Sequence, residues 1–289
     1  MKSIDHVVII YNPKSTRAAA ANARRLARRL ENRTEVNVHV TRTNHPGHGE
    51  ELAKEYADTY ENILFVSSSG DGGYHEIVNG ILSSGNTTTV AAELLPSGNA
   101  NDHYKWVHQG RLVRRINQVD IHLHDVIEID AADSYTRFAH SYAGLGLSAQ
   151  AAQAINQSDV TRTSEVAAVL KAFSRITPVR LRIGAEEKTY TNFICANIGK
   201  MSKYFSIEGS DSTDGQFEVI RNKTDKPSEL AAQMARAMTF GLDDVEQLDE
   251  LNFTCLEPTV IQMDGELHEL AKHEKVTIRC RQQLLKTII

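Results

Sequence analysis

At 289 residues the chain is long for a single hydrophobic core, so two domains are expected. Its 41% hydrophobic and 24% charged residues describe an ordinary soluble globular protein. A net charge of only −5 excludes a strong overall attraction to nucleic acid or to an anionic membrane and leaves room for a local basic patch.

The apolar stretch within Met1 to Tyr11 is too short for a secretory signal, and it runs straight into Asn12-Pro13. No run approaches the ~20 apolar residues of a membrane span, so any membrane contact is expected to be peripheral and the location cytoplasmic. Val7-Val8-Ile9-Ile10 reads as a buried strand. Ala18 to Leu30 follows as a helix, with Leu26 and Leu30 on one face. Val36 to Val40 alternates like a strand, and Glu50 to Tyr60 is helical in composition. Ile63 to Val66 is again a buried strand, Tyr74 to Leu82 a helix, and Val90 to Leu95 a fourth strand ending at Pro96. This β-α-β-α order implies a parallel sheet covered by helices.

After about Val119 the pattern changes to many short strands. They are Ile121 to Ile129, Arg137 to Leu147, Val179 to Ile183, Thr189 to Ile198, Phe217 to Ile220, Leu251 to Leu256, Val260 to Met263 and Val276 to Cys280. Two helical insertions are expected, near Glu165–Ile176 and Ser228–Phe240. The pattern predicts a sandwich or barrel-like second domain. Cys195, Cys255 and Cys280 are far apart and form no CxxC pair, which argues against disulfides or a cysteine zinc site and fits a reducing compartment. They read as buried thiols.

The polar chemistry gathers at the ends of the first-domain strands, where open α/β sheets bind ligands. Three loops lie there: Asn12-Pro13-Lys14-Ser15-Thr16-Arg17, Ser67 to Gly73, and Leu95 to Asp102. In the second loop, Gly70, Gly72 and Gly73 let the backbone turn tightly and bring N–H groups close to an anion. The following helix adds its positive end. Asp71 would repel a bare phosphate, so its presence suggests magnesium or a reacting hydroxyl nearby. Neither G-x-x-x-x-G-K-[ST] nor G-x-G-x-x-G occurs.

Asn12-Pro13-x-Ser15, Ser69-Gly70-Asp71-Gly72-x-x-x-Glu76-x-x-Asn79-Gly80 and Pro96-x-Gly98-Asn99-x-Asn101-Asp102 resemble the diacylglycerol kinase catalytic domain, whose superfamily includes sphingosine kinases and soluble bacterial lipid kinases. Gly144-Leu145-Gly146-Leu147, Asp214-Gly215-Gln216-Phe217-Glu218 and Asp264-Gly265-Glu266 resemble the later motifs in the same order. The resemblance implies an α/β fold made of a Rossmann-like nucleotide domain, residues 1–119, and a β-sandwich lipid domain, residues 120–289. The C-terminal residues would pack back on the first domain. It implies ATP and magnesium in the cleft between the two, and transfer of the γ-phosphoryl group to a lipid with a free hydroxyl, diacylglycerol-like.

Under that resemblance Asn12, Ser15, Gly70, Gly72, Gly73, Gly98, Asn99, Asn101 and Asp102 serve the nucleotide. Asp71 is the magnesium-linked or hydroxyl-orienting carboxylate, and Asp264, with Glu266 beside it, the general base. Asp211 and Asp214 mark a structural magnesium site. The chain departs from the family's usual Gly-Gly-Asp-Gly-Thr by Ser69 at the front and Gly73 at the back, and it has Thr16 and Asn99 where glycine and threonine are usual. Two rival readings are a soluble kinase like the NAD kinases and a nucleotide- or lipid-binding module without catalysis.

Other polar residues have plainer readings. His122 and His124, on one face of an alternating strand, are expected to be solvent-exposed. His75-Glu76 is not an H-E-x-x-H pair, and Glu76 either orients the loop or lies on the helix surface. Arg24, Arg25, Arg28 and Arg29 form a positive strip, either simply solvated or facing anionic lipid.

Overall fold

The computed structural model describes residues 3–15, 18–32, 36–108, 120–156, 176–201, 205–224, 226–242 and 245–288. The helix expected at Glu165–Ile176 falls outside them save for its last residue, as do Thr16 and Arg17. The chain forms two compact units, Met1–Asp125 with Gln282–Ile289, and Val126–Arg281.

The first unit runs β1 (His6–Tyr11), α1 (Ala19–Glu31), β2 (Asn37–Arg42), α2 (His48–Thr59), β3 (Ile63–Ser69), α3 (Asp71–Leu82), β4 (Val90–Pro96) and α4 (Asp102–His108). Its four strands form one parallel sheet in the order β2-β1-β3-β4. The apolar runs explain the centre: Val7 to Ile10 and all of β3 are buried, as a strand covered on both faces requires. On α1 the buried stripe is Ala19, Ala23, Ala27 and Leu30, so the helix meets the sheet mostly through alanines. Val7, Ile9, Leu64, Val66 and Ala91 receive it, together with Ile288 from the end of the chain.

The second unit holds most of β5 (Ile121–Ala131), then β6 (Tyr135–Ala139), β7 (Tyr142–Gly146), α5 (Leu147–Asn156), β8 (Val179–Ile183), β9 (Glu186–Tyr190), β10 (Asn192–Ala196), β11 (Lys200–Met201), β12 (Phe205–Ser206) and β13 (Phe217–Asn222). It continues through α6 (Pro227–Phe240), β14 (Glu246–Leu248), β15 (Glu250–Cys255), β16 (Thr259–Met263), β17 (Glu266–Leu270) and β18 (Lys275–Ile288), whose last residues rejoin the first unit. Two six-stranded sheets result, β14-β13-β10-β7-β16-β17 and β6-β5-β18-β15-β8-β9. Ile127, Leu181, Phe253 and Ile278 of one sheet share a single core with Leu145, Phe193, Phe217 and Met263 of the other, a sandwich arrangement.

Three expectations need correction. The strand expected over Arg137 to Leu147 is two strands, because the backbone breaks at His140 and Ser141. Thr189 to Ile198 is likewise divided between β9 and β10, with Thr191 as the turn. His124 is not solvent-exposed: it is 7% exposed, while His122 alone lies in solvent. Its ring meets His103 of α4 edge-on at 6.2 Å, so helix packing overrides the alternation of the strand.

Candidate functional site

The parallel register brings three chain turns to one level. Tyr11 pairs with Ser68, Ser68 with Leu95, and Ser69 with Pro96, so β1, β3 and β4 end side by side. The sheet order reverses direction between β1 and β3, the switch point at which such sheets open a crevice.

Hydrogen bonds join the turns. Ser97 N–H donates to the Ser69 carbonyl at 2.7 Å, and Asn12 N–H to the Ser68 carbonyl at 3.3 Å. Ser68 Oγ donates to the Ala19 carbonyl at 2.9 Å, while Asn22 Nδ2 donates to Ser97 Oγ at 3.2 Å, tying α1 to the same cluster. In the first loop Asn12 Oδ1 accepts the Lys14 N–H at 2.9 Å, and Ser15 N–H returns to the Asn12 carbonyl at 3.1 Å. Asn12 therefore shapes its own turn.

The Gly-Asp-Gly-Gly segment is less of a loop than its composition suggests. The helix begins at Asp71, not at Tyr74, with Gly70 as its cap. None of Gly70, Gly72, Gly73 and Gly98 has a positive φ. Close approach, not backbone conformation, is what selects glycine at two of these positions. A Cβ on Gly70 would stand 3.2 Å from the Gly98 Cα, so the second and third turns touch backbone to backbone. Gly70 brings no side-chain cap to the start of this 12-residue helix, where the positive end of its dipole lies.

Asp71 is half-buried in that first turn, and its Oδ2 accepts the Asn101 N–H at 2.8 Å. Asn101 has φ 51°, a left-handed conformation that asparagine tolerates best among side-chain-bearing residues. Its side chain clamps Gly98 from both ends, Oδ1 accepting the Gly98 N–H at 3.1 Å and Nδ2 donating to the Gly98 carbonyl at 2.8 Å. Asp102 follows, buried, with Lys105 Nζ 3.7 Å from its Oδ1, and Asn99 is half-buried. Asn12, Ser15, Gly70, Asp71, Gly72, Gly73, Gly98, Asn99, Asn101 and Asp102 are thus all carried by the three joined turns. Together they offer backbone N–H groups, a helix N-terminus and two carboxylates, half-buried Asp71 and buried Asp102, a set suited to polyphosphate with a divalent cation.

Two supports have partners that the sequence does not mark. Glu76 accepts the Gly47 and Gly49 N–H groups at 2.8 and 2.9 Å, capping the start of α2 and fixing it to α3. Glu93 on β4 is buried against His108 Nε2 at 2.9 Å and Thr287 Oγ1 at 3.2 Å, holding α4 and the end of β18 to the sheet. Burial pushes the Glu93 carboxyl above its ordinary value, and the bonds from His108 oppose that only in part. The strand reading of Val90 to Leu95 gave Glu93 no partner; only the fold reveals its histidine, fifteen positions away.

In the second unit Asp264 and Gly265 are the two-residue turn between β16 and β17, with φ 53° and 97°. This is the primed hairpin turn for which Asp-Gly is a strong signal. Asp264 is buried; its Oδ1 accepts the Ser141 and Tyr142 N–H groups at 2.9 and 3.1 Å, and its Oδ2 the His140 N–H at 2.9 Å. The carboxylate holds the break between β6 and β7. Glu266 opens β17 and is half-buried.

Asp211 and Asp214 are exposed and bonded locally, to Thr213 and to the Gln216 N–H. Neither joins a three-ligand cluster among the described residues. The cluster that does occur there is His45, His48 and Glu51, with ligand atoms within 4.8 Å. His48 Nδ1 already accepts the Asn44 N–H at 3.0 Å, and the two rings stack at 4.7 Å, so this is a surface grouping at the start of α2. Burial pushes the Cys195 and Cys255 thiols up to about 12, which leaves them inert.

Residues 6–132 match the family model described as the diacylglycerol kinase catalytic domain, and the resemblance drawn from the motifs is borne out over that stretch. No curated protein matches the chain in sequence. Among solved structures, two of a candidate diacylglycerol kinase from Bacillus anthracis str. Sterne share the fold at 15% identity, with TM-scores of 0.69 and 0.70. A third, described as a diacylglycerol kinase from the same organism, does so at 16% identity with a TM-score of 0.67. Each comparison covers 100% of this chain and 98% of the other. At such identity these three establish the fold.

Proposed function

We propose that the chain is an ATP- and magnesium-dependent lipid kinase that moves the γ-phosphoryl group of ATP to the hydroxyl of a diacylglycerol-like lipid. The observation that carries this reading is the joining of three strand-end turns around the first turn of α3, with Asp71 in it. Phosphoryl transfer needs mainly positioning and charge neutralisation, with a group to take the hydroxyl proton. In the reaction the acceptor oxygen bonds to the γ-phosphorus, the bond to the bridging oxygen breaks, ADP leaves, and the hydroxyl proton passes to a base. Magnesium, when bound, would neutralise phosphate charge and draw on Asp71.

The backbone at Gly70, Gly72, Gly73 and Gly98 would receive the phosphates. Asn12, Ser15, Asn99, Asn101 and Asp102 would shape the turns that do so. Asp264, with Glu266 beside it, is proposed as that base, and the three peptide N–H groups that Asp264 accepts support a positioning part for it as well. A structural magnesium at Asp211 and Asp214 is the least supported part of the proposal, since both carboxylates are engaged by their own loop.

Peripheral membrane contact is also part of the proposal. No helix among the described residues is long and apolar enough to cross a membrane. Arg24, Arg25, Arg28 and Arg29 are exposed on α1, and among the described residues none has an acidic partner within 4.0 Å. Anionic headgroups would supply one.

The direct test is label transfer from γ-labelled ATP to diacylglycerol in mixed micelles with magnesium. Labelled phosphatidic acid is the expected product. Folded protein that labels no hydroxylated lipid would end this reading.

A further inference from the structure

Ser69 ends β3 and Gly73 lies four residues on, in the first turn of α3. A Cβ added at Gly73 would stand 2.5 Å from Ser69 Oγ and 2.6 Å from Ser69 Cβ, closer than real Cβ contacts come. Positions 69 and 73 therefore contend for one space, and the serine side chain occupies it. Because Gly73 has no positive φ, its backbone does not demand glycine. The neighbouring side chain does.

That side chain is also bonded to the turn. Ser69 is 2% exposed; its Oγ donates to the Gly70 carbonyl at 2.9 Å and lies 2.6 Å from Ser67 Oγ, whose hydroxyl donates in turn. Gly70 is the cap of α3 and the residue in backbone contact with Gly98. The Ser69 hydroxyl thus holds the peptide that begins the helix carrying Asp71.

We infer that Ser69 is a positioning residue for the Asp71 turn, and that Ser69 and Gly73 are a matched pair in which one side chain fills the space between strand end and helix start. This deepens the proposed nucleotide site and rests on it for its effect on ATP. The serine has no free donor to offer a phosphate while it holds Gly70, so its influence passes through the turn.

The pair is tested by moving the side chain from one position to the other. Wild type, Ser69→Gly, Gly73→Ser and the double variant are compared for magnesium-ATP binding by calorimetry, for nucleotide KM and kcat, and for thermal unfolding. Gly73→Ser alone places two side chains in one space and is expected to weaken magnesium-ATP at least about tenfold. Ser69→Gly alone leaves a void and is expected to cost about threefold, seen more in nucleotide KM than in kcat. The double variant is expected to return to within about threefold of wild type, because contacting positions couple.

A double variant no better than Gly73→Ser, or a Gly73→Ser that binds like wild type, overturns the inference. If Gly73→Ser does not fold, recovery of folding by adding Ser69→Gly is the supporting result, and continued failure overturns it. If wild type binds no magnesium-ATP, the nucleotide reading has failed. The thermal unfolding of the four proteins still decides the pairing: non-additive recovery supports it, and additive loss rejects it.

Discussion

Asp71 and Asp264 are both aspartates followed by glycine, and each is the natural candidate for a working carboxylate in its own unit. Their surroundings make them different devices. Asp71 is half-buried at the start of a 12-residue helix, and its Oδ2 accepts a peptide N–H from the neighbouring turn. Asp264 sits in a left-handed hairpin turn, buried, with both oxygens accepting peptide N–H groups from His140, Ser141 and Tyr142. A carboxylate so occupied organises backbone, whereas one at the positive end of a helix dipole is placed where charge is favoured.

The strongest loss is expected at Asp71. Asp71→Asn keeps the shape and the Asn101 contact, so unfolding should change little while turnover falls at least about a hundredfold. Turnover near wild type would make Asp71 a structural residue. Asp264 should answer in stability instead. Asp264→Ala strands three peptide donors, with an expected loss of roughly 2–4 kcal/mol read from urea unfolding. An unchanged unfolding midpoint would mean that segment 140–142 holds itself.

Asn101→Ala tests how far the third turn sustains the first comparison. It loses the Gly98 clamp and places alanine at φ 51°, so a turnover loss of about tenfold and a stability loss of about 1 kcal/mol are expected. An effect on stability alone would separate the two turns functionally.

The smallest effect concerns pH. Burial raises the Glu93 carboxyl above its ordinary 4.5. A carboxyl raised on folding binds its proton more tightly in the folded state, so its stabilisation is complete below pH 4.5 and is lost as pH rises towards the folded value. Glu93→Gln should therefore flatten the decline in melting temperature across that rise. Equal slopes in both proteins would show that the His108 contact carries the charge without penalty.

Much of this was legible in the sequence because the signals were local. The apolar runs Val7 to Ile10 and Ile63 to Val66 had no plausible place but a covered parallel sheet, and the polar segments after them marked where that sheet ends. Asp264-Gly265 between alternating strands was a readable hairpin signal, overshadowed by its resemblance to a motif. What was not legible depends on approach in three dimensions. Glycine at 70 answers to Gly98, glycine at 73 answers to Ser69, and His124 is buried by α4; none of these partners is marked by spacing. Glu93 and His108 belong to the same class, as does the return of Ile288 to the first core.

Phosphate transfer to a lipid is the task proposed for the Asp71 turn. It is tested most directly by mass spectrometry of products from wild type and Asp71→Asn, each given ATP, magnesium and a panel of hydroxylated lipids alongside NAD. The expected result is one added phosphoryl group on a lipid, dependent on ATP and magnesium and lost in Asp71→Asn. Phosphorylated NAD with every lipid unchanged, or equal lipid product from the variant, would contradict it.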